Sequence, residues 1–147
     1  MKFEHTIEIP APKAKVQAFL NDFERAAKCL PGVEDTTALG NDQYEGRIRV
    51  KVGPLGFNIK GKARVEERTD GAWVVHGEGK DARIAAGVRA TLEATLKETA
   101  PDATEVLVQA DVTFSGALGG LGQPVIRKKA DAMVQEFAEN LRQAVIG

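Results

Sequence analysis

The sequence predicts an α+β fold: a curved antiparallel sheet of seven strands wrapped around a long C-terminal helix, with two short helices between strands 1 and 2. Three observations predict it. Apolar residues alternate at period two through most of the chain, turn chemistry separates the alternating runs, and the period lengthens to a helical one near each end of the strand series. Sequential antiparallel strands closed by a helix make two layers around one core, and 147 residues suffice for a single domain spanning 1–147.

Taken in order, "KFEHTIEIP" puts Phe3, His5, Ile7 and Ile9 on one side of a first strand that Pro10 and Pro12 stop. "KAKVQAFLNDFERAAKCL" carries Val16, Phe19, Leu20, Phe23, Ala26, Ala27 and Leu30 at helical spacing. Asn21-Asp22 divides it, with Asp22 as N-cap of the second helix, and Pro31-Gly32 ends the helical portion. A short strand around Asp35–Leu39 follows, then a turn at "GND". "YEGRIRVKV" turns Tyr44, Gly46, Ile48, Val50 and Val52 inward, and "FNIKGKARVEER" answers with Phe57, Ile59, Gly61, Ala63 and Val65 across a "GPLG" turn. "TDG" is read as a hairpin turn with Gly71 in a left-handed conformation, before Trp73, Val75, Gly77 and Gly79.

The stretch "RIAAGVRATLEATLKE" has the composition of a helix and the alternation of a strand. Ile84, Ala86, Val88, Ala90, Leu92, Ala94 and Leu96 occur at every second position without a polar interruption, so a long strand is expected from Arg83. "EVLVQADVTFS" adds Val106, Val108, Ala110, Val112 and Phe114. "LGQPVIRKKADAMVQEFAENLRQAVIG" then places Ile126, Ala130, Met133, Val134, Phe137, Leu141 and Val145 on one helical face, with Pro124 suited to the first turn.

Gly46, Gly61, Ala63, Gly77, Gly79, Ala86, Ala90, Ala94 and Ala110 all fall on the inward parity. Either the helix and the aromatic residues fill the space above them, or an apolar cavity remains, of the roughly 300–1,000 Å³ that small ligands occupy. Glycines also let strands bend. Composition leaves these readings open. The expected lining is Tyr44, Ile48, Phe57, Ile59, Trp73, Val88, Ala90, Ala110, Val112, Met133 and Phe137, with Tyr44 and Trp73 also offering hydrogen bonds.

The inventory for catalysis is thin. His5 and His76 lie on opposite parities, Glu93 and Asp111 face outward, and no His/Cys/carboxylate spacing suggests a metal site. His5 reads as a structural histidine and Cys29 as a small buried hydrophobe. "SGALGGLGQP" has neither a dinucleotide nor a Walker pattern and is read as a mobile loop that could gate the cavity. No enzyme activity, metal or cofactor is expected. Net charge of −1 argues against nucleic acid, and the lone cysteine against a disulfide framework. No secretory leader or membrane-spanning run is seen, so a cytoplasmic protein is expected, with room for peripheral contact with the inner membrane surface.

Arg47, Arg49, Lys51, Lys60, Lys62 and Arg64 share the outward parity of the central hairpin. With Arg49 opposite Lys60 and Arg47 opposite Lys62, they form either a solvated face relieved by Glu45, Glu66 and Glu78, or a docking patch for an acidic partner or anionic lipid. Arg127, Lys128 and Lys129 could add to it.

"CLPGVED", "YEGRIRVKVGPLGFNIKGKARVEE", "GEGKDA" and "ADVTFSGALGGLGQPVIRKKADAMVQEFAENL" cover nearly the whole chain and carry a resemblance. The layout resembles the helix-grip (START-like) domains of the SRPBCC superfamily and, more closely, the CoxG family, the G subunit of carbon monoxide dehydrogenase. The resemblance implies a hydrophobic tunnel between sheet and C-terminal helix. It also implies a non-catalytic role beside a molybdenum hydroxylase of the CO dehydrogenase kind, as a carrier of a quinone or another lipid-like molecule. Some relatives reach the membrane through a long tail; with the helix ending at Gly147, tail anchoring is not expected. The alternatives are an adaptor that docks an oxidoreductase to the membrane through the basic sheet face, and an enzyme of the polyketide cyclase kind.

Overall fold

The structure, a computed structural model, describes residues 1–68 and 72–147. The chain runs β1 (Lys2–Ile9), α1 (Lys13–Asn21), α2 (Phe23–Ala27), β2 (Val33–Gly40), β3 (Gln43–Val52), β4 (Leu55–Arg68), β5 (Ala72–Asp81), β6 (Ala86–Ala100), β7 (Ala103–Ser115), α3 (Gly116–Gly119) and α4 (Gln123–Ile146). All seven strands form one antiparallel sheet in the order β1-β7-β6-β5-β4-β3-β2. Strands β2 to β7 follow one another as a meander, and β1 closes the far edge beside β7. The α1–α2 segment therefore carries the chain from one edge to the other. The Asp22 side chain accepts from the Arg25 backbone N–H, as its N-cap position predicts. The expected turn at Thr69-Asp70-Gly71 lies outside the described residues.

Three sequence expectations need correction. Ile84 is not a strand residue: Ala82–Ile84 form a short 3-10 turn, and Ala85 adopts a left-handed conformation at φ 48°. The Asp81 carboxylate causes this by capping the turn through the Arg83 backbone N–H and pairing with its guanidinium. The strand starts only at Ala86. Second, β3 and β4 are joined by Gly53-Pro54 alone, Val52 standing opposite Leu55. The shorter connection moves the register by two residues, so Arg47 faces Lys60, Arg49 faces Asn58, and Glu45 faces Lys62. Third, the glycine-rich stretch after β7 is no open gate: residues 116–119 form a helical turn with Leu118 buried against the sheet.

Inward parity is otherwise as expected, save that Val74 is buried on the outward parity of β5 between Glu66 and Glu93, and register explains the small residues. Thr36, Gly46, Gly61, Gly79 and Val88 stand side by side across five strands. An added Cβ would lie 2.6 Å from the Asp35 carbonyl at Gly46 and 2.7 Å from the Glu78 carbonyl at Gly61. The sheet curls along this line, and a side chain there would strike the neighbouring backbone. The next row, Tyr44, Ala63, Gly77 and Ala90, is different. The nearest atom to an added Cβ at Gly77 is the Lys62 carbonyl at 3.8 Å. The small residue there faces open space.

The core is divided accordingly. One cluster gathers Ile7, Ile9, Val16, Phe19, Trp73, Leu96, Val106, Leu141 and Val145 beneath α1 and the C-terminal half of α4. A second gathers Val52, Phe57, Ala86 and Leu118 at the other end of the sheet. On α4 the buried residues are Ile126 near its start and Ala138, Leu141 and Val145 near its end, while Ala130, Met133, Val134 and Phe137 between them are only half-buried. Helix α4 is tied down at both ends: Arg127 donates to the Lys2 carbonyl at 3.2 Å, and Arg142 to that of Glu8 at 2.7 Å.

Candidate ligand-binding hollow

Between the two core clusters lies a hollow of about 300 Å³. Its floor is the inner face of β3 to β6: Tyr44, Gly46, Ile48, Ile59, Gly61, Ala63, Gly77, Gly79, Val88 and Ala90. Its other wall is the segment from α2 to β2, through Phe23, Leu30, Val33 and Thr36. Phe23 and Tyr44 stack with ring centroids 4.5 Å apart, closing one side. At about 30 Å³ per molecule the space equals roughly ten waters, yet its walls are almost wholly apolar and offer a water few partners.

One polar atom is out of place. The Thr36 hydroxyl is buried without a hydrogen-bond partner, and Thr36 lines the hollow. An unsatisfied buried hydroxyl costs about 1–3 kcal/mol. Asp35, Glu45, Arg47, Lys62 and Glu78 also border the hollow, but all five belong to the outward parity. The Asp35 carboxylate accepts two hydrogen bonds from Arg47, which hold its pKa below the usual carboxylate value. Larger depressions of about 670 and 820 Å³ lie on the convex face. They are open saddles edged by charged side chains such as Glu4, Arg89, Lys60 and Lys62, unlike the almost wholly apolar hollow.

Of the residues expected to line a cavity, the hollow brings together Tyr44, Ile48, Ile59, Val88 and Ala90. Phe57 and Trp73 are consumed by the two core clusters, and the Trp73 indole N–H donates to Asn21 Oδ1 at 3.0 Å, so it offers no free donor. Phe137 packs against the first cluster. Ala110 and Val112 stand on β7 opposite Leu92 and Ala90, one strand beyond the wall. Met133 lines a separate crevice of about 120 Å³ with Pro31, Gly32, Val50 and Lys51. Helix α4 contributes nothing to the lining, so the expected placement of the space between sheet and C-terminal helix is corrected: the covering element is the α2–β2 segment. Sequence placed Phe23 and Leu30 on a helical face without separating core from void, since helical spacing looks the same in both, and it did not single out Val33 and Thr36, which lie on the short edge strand β2.

The six outward basic residues lie on the exposed face of the hairpin, but most have acidic company. Arg47 pairs with Asp35 at 2.6 Å, Arg49 with Glu34 at 3.8 Å, and Arg64 with Glu66 at 3.5 Å. Lys62 stands between Glu45 and Glu78. Lys51 and Lys60 have no ion-pair partner among the described residues. Among those residues no cluster of His, Cys, Asp and Glu could hold a metal ion.

A family model for the G subunit of carbon monoxide dehydrogenase (CoxG) matches residues 6–146. The chain belongs to this family. No curated protein matches its sequence. Among solved structures, a conserved protein from Geobacillus kaustophilus superposes with a TM-score of 0.90 at 15% identity, covering 99% of this chain and 95% of that one. A START superfamily protein from Mycobacterium smegmatis gives 0.76 at 15% identity over 98% and 96%. An aromatase/cyclase from Streptomyces sp. R1128 gives 0.64 at 18% identity over 100% and 92%. At these identities the likeness establishes the START-like fold. It leaves both a binding and an enzymatic use of that fold open for this CoxG-family chain. Among the described residues no helix is long and apolar enough to cross a membrane.

Proposed function

We propose that this CoxG-family protein is a non-catalytic carrier of a hydrophobic small molecule, a quinone or similar lipid-like compound, serving a CO dehydrogenase-like molybdenum hydroxylase. The observation that carries the reading is the hollow: apolar walls, a core split in two around it, and small residues at Ala63, Gly77 and Ala90 where bulk would close it. Its size, at the low end of ligand sites, suits a ring system rather than a whole isoprenoid, whose tail would leave by the opening. The family supplies the partner, through its description alone.

The unpartnered Thr36 hydroxyl, on a residue that lines the hollow, favours a ligand with a polar atom, such as a ring carbonyl, that can accept its hydrogen bond. The same poverty of polar groups disfavours the cyclase reading, which needs ionisable side chains aimed inward.

Titration with a short-chain ubiquinone tests the carrier. Saturable binding at one site per chain is expected. Absence of saturation at every accessible concentration, for the quinone and for a fatty acid alike, would overturn it.

A further inference from the structure

We propose that Tyr44 is a swinging gate of the hollow, stacked on Phe23 when a ligand is bound and folded across Ala63 and Gly77 when none is. Tyr44 is the one large residue in its row: Ala63, Gly77 and Ala90 stand beside it on the three strands that follow. The neighbouring row, by contrast, carries Val65, Val75 and Leu92.

Gly77 is the informative member. A glycine inside a strand forfeits packing and costs conformational entropy. Gly46, Gly61 and Gly79 are held small, since an added Cβ would lie 2.6–2.7 Å from a neighbour, but at Gly77 the nearest atom is 3.8 Å away. No fixed neighbour explains its size, so an occupant that comes and goes is expected above it. A ligand is one such occupant. The Tyr44 ring is another, already within reach. Neighbouring strands lie about 4.8 Å apart, so a ring turned across the sheet covers Ala63 and ends over Gly77.

Tyr44 is free to make that turn. In strands the χ1 wells near 180° and −60° are both common, and the residue is only half-buried. Its partner Phe23 opens α2, a five-residue helix without a buried residue. The two rings stand 4.5 Å apart with 30° between their planes, and a pair of this kind holds a side chain by a factor of about two to ten. Against that hold stands the unfilled apolar space. Lining atoms that face a void lose their dispersion contacts, and the ring restores them by turning in. The two positions are therefore close in energy. A ligand lying over Ala63 and Gly77 excludes one of them and leaves the ring on Phe23, where it completes the wall.

The gate rests on the hollow as the ligand site proposed above, but the motion of the ring is read without any ligand. The chain has a single tyrosine, so nuclear Overhauser contacts of its ring protons report on this residue alone. In the ligand-free protein, contacts to both the Phe23 ring and the Gly77 α-protons are expected. Saturation with short-chain ubiquinone should abolish those to Gly77 and keep those to Phe23. Gly77→Leu should do the same without ligand.

Phe23→Ala should weaken quinone binding about two- to tenfold, because the ring is then held back less often. In a Tyr44→Ala background that cost should vanish, whereas a Phe23 that merely touched the ligand would cost the same in both. Should Phe23→Ala fail to fold, the Overhauser contacts of the natural protein decide alone. Contacts with Phe23 only in the ligand-free protein, Gly77 contacts that persist at quinone saturation, or an equal Phe23→Ala cost in both backgrounds would overturn the gate. Both ring positions in a protein that never saturates with quinone would uphold the moving ring and overturn the carrier alone.

Discussion

Thr36 is the residue at which the resting protein and the liganded one should differ most. Its hydroxyl is buried and unsatisfied at the wall of an apolar space. Replacing it by the isosteric valine should raise the stability of the empty protein by about 1 kcal/mol, read from denaturant unfolding, because an uncompensated polar group is removed. The same change should weaken binding of a carbonyl-bearing ligand and spare a hydrocarbon of equal size. Asp81 is the opposite case, a buried carboxylate with full company. The Arg83 side chain above all, then the Asn58 backbone N–H, hold its pKa at about 2. Because that lies below the value of about 3.9 for an unfolded aspartate, the group stabilises the fold above that pH and the contribution fades as pH falls toward 2. The thermal midpoint should therefore drop steeply between pH 4 and 2, as Asp35 also loses its pairing. Asp81→Asn should lower the midpoint at neutral pH and flatten part of that acid limb. Side chains of this kind are poorly legible in sequence. The alternation through Ile84 gave no hint that Asp81 and Arg83 would pull three residues out of the strand.

At the scale of elements, the glycines of the sheet divide into two kinds that look identical in sequence. All four line the hollow, but an added Cβ would strike a neighbour at Gly46, Gly61 and Gly79, on the line of curling, and would meet open space at Gly77. Gly61→Ala should cost about 1–3 kcal/mol, since its Cβ would press on the Glu78 carbonyl at 2.7 Å. Gly77→Ala, with no atom nearer than 3.8 Å, should be neutral or stabilising by about 0.4–1 kcal/mol. Urea unfolding of the two variants side by side checks the distinction, and equal destabilisation would contradict it. Strand parity was legible because one face is buried and the other charged, which fixes which residues point in. Register was not, because "GPLG" can close a hairpin with two or four residues and only packing chooses between them. The basic patch was misdrawn for that reason: the actual register sets Glu45 against Lys62 and leaves Arg47 to Asp35.

For the whole molecule, the sheet and the helices that cover it were legible, down to the break at Asp22 and the long terminal helix. The existence of an unfilled interior was suggested by the small inward residues, but its place was not. The first core cluster takes the C-terminal half of α4, the second the other end of the sheet, and the space remaining falls under the α2–β2 segment.

Whether the hollow is the carrier's binding site is decided by repeating the short-chain quinone titration on Gly77→Leu, whose side chain has free space for its Cβ and would grow into the hollow. Saturable binding is expected of the natural protein, and at least about a tenfold weaker affinity of the variant, with its thermal stability kept. Unchanged affinity in a folded Gly77→Leu protein would place the ligand elsewhere and refute the hollow as its site.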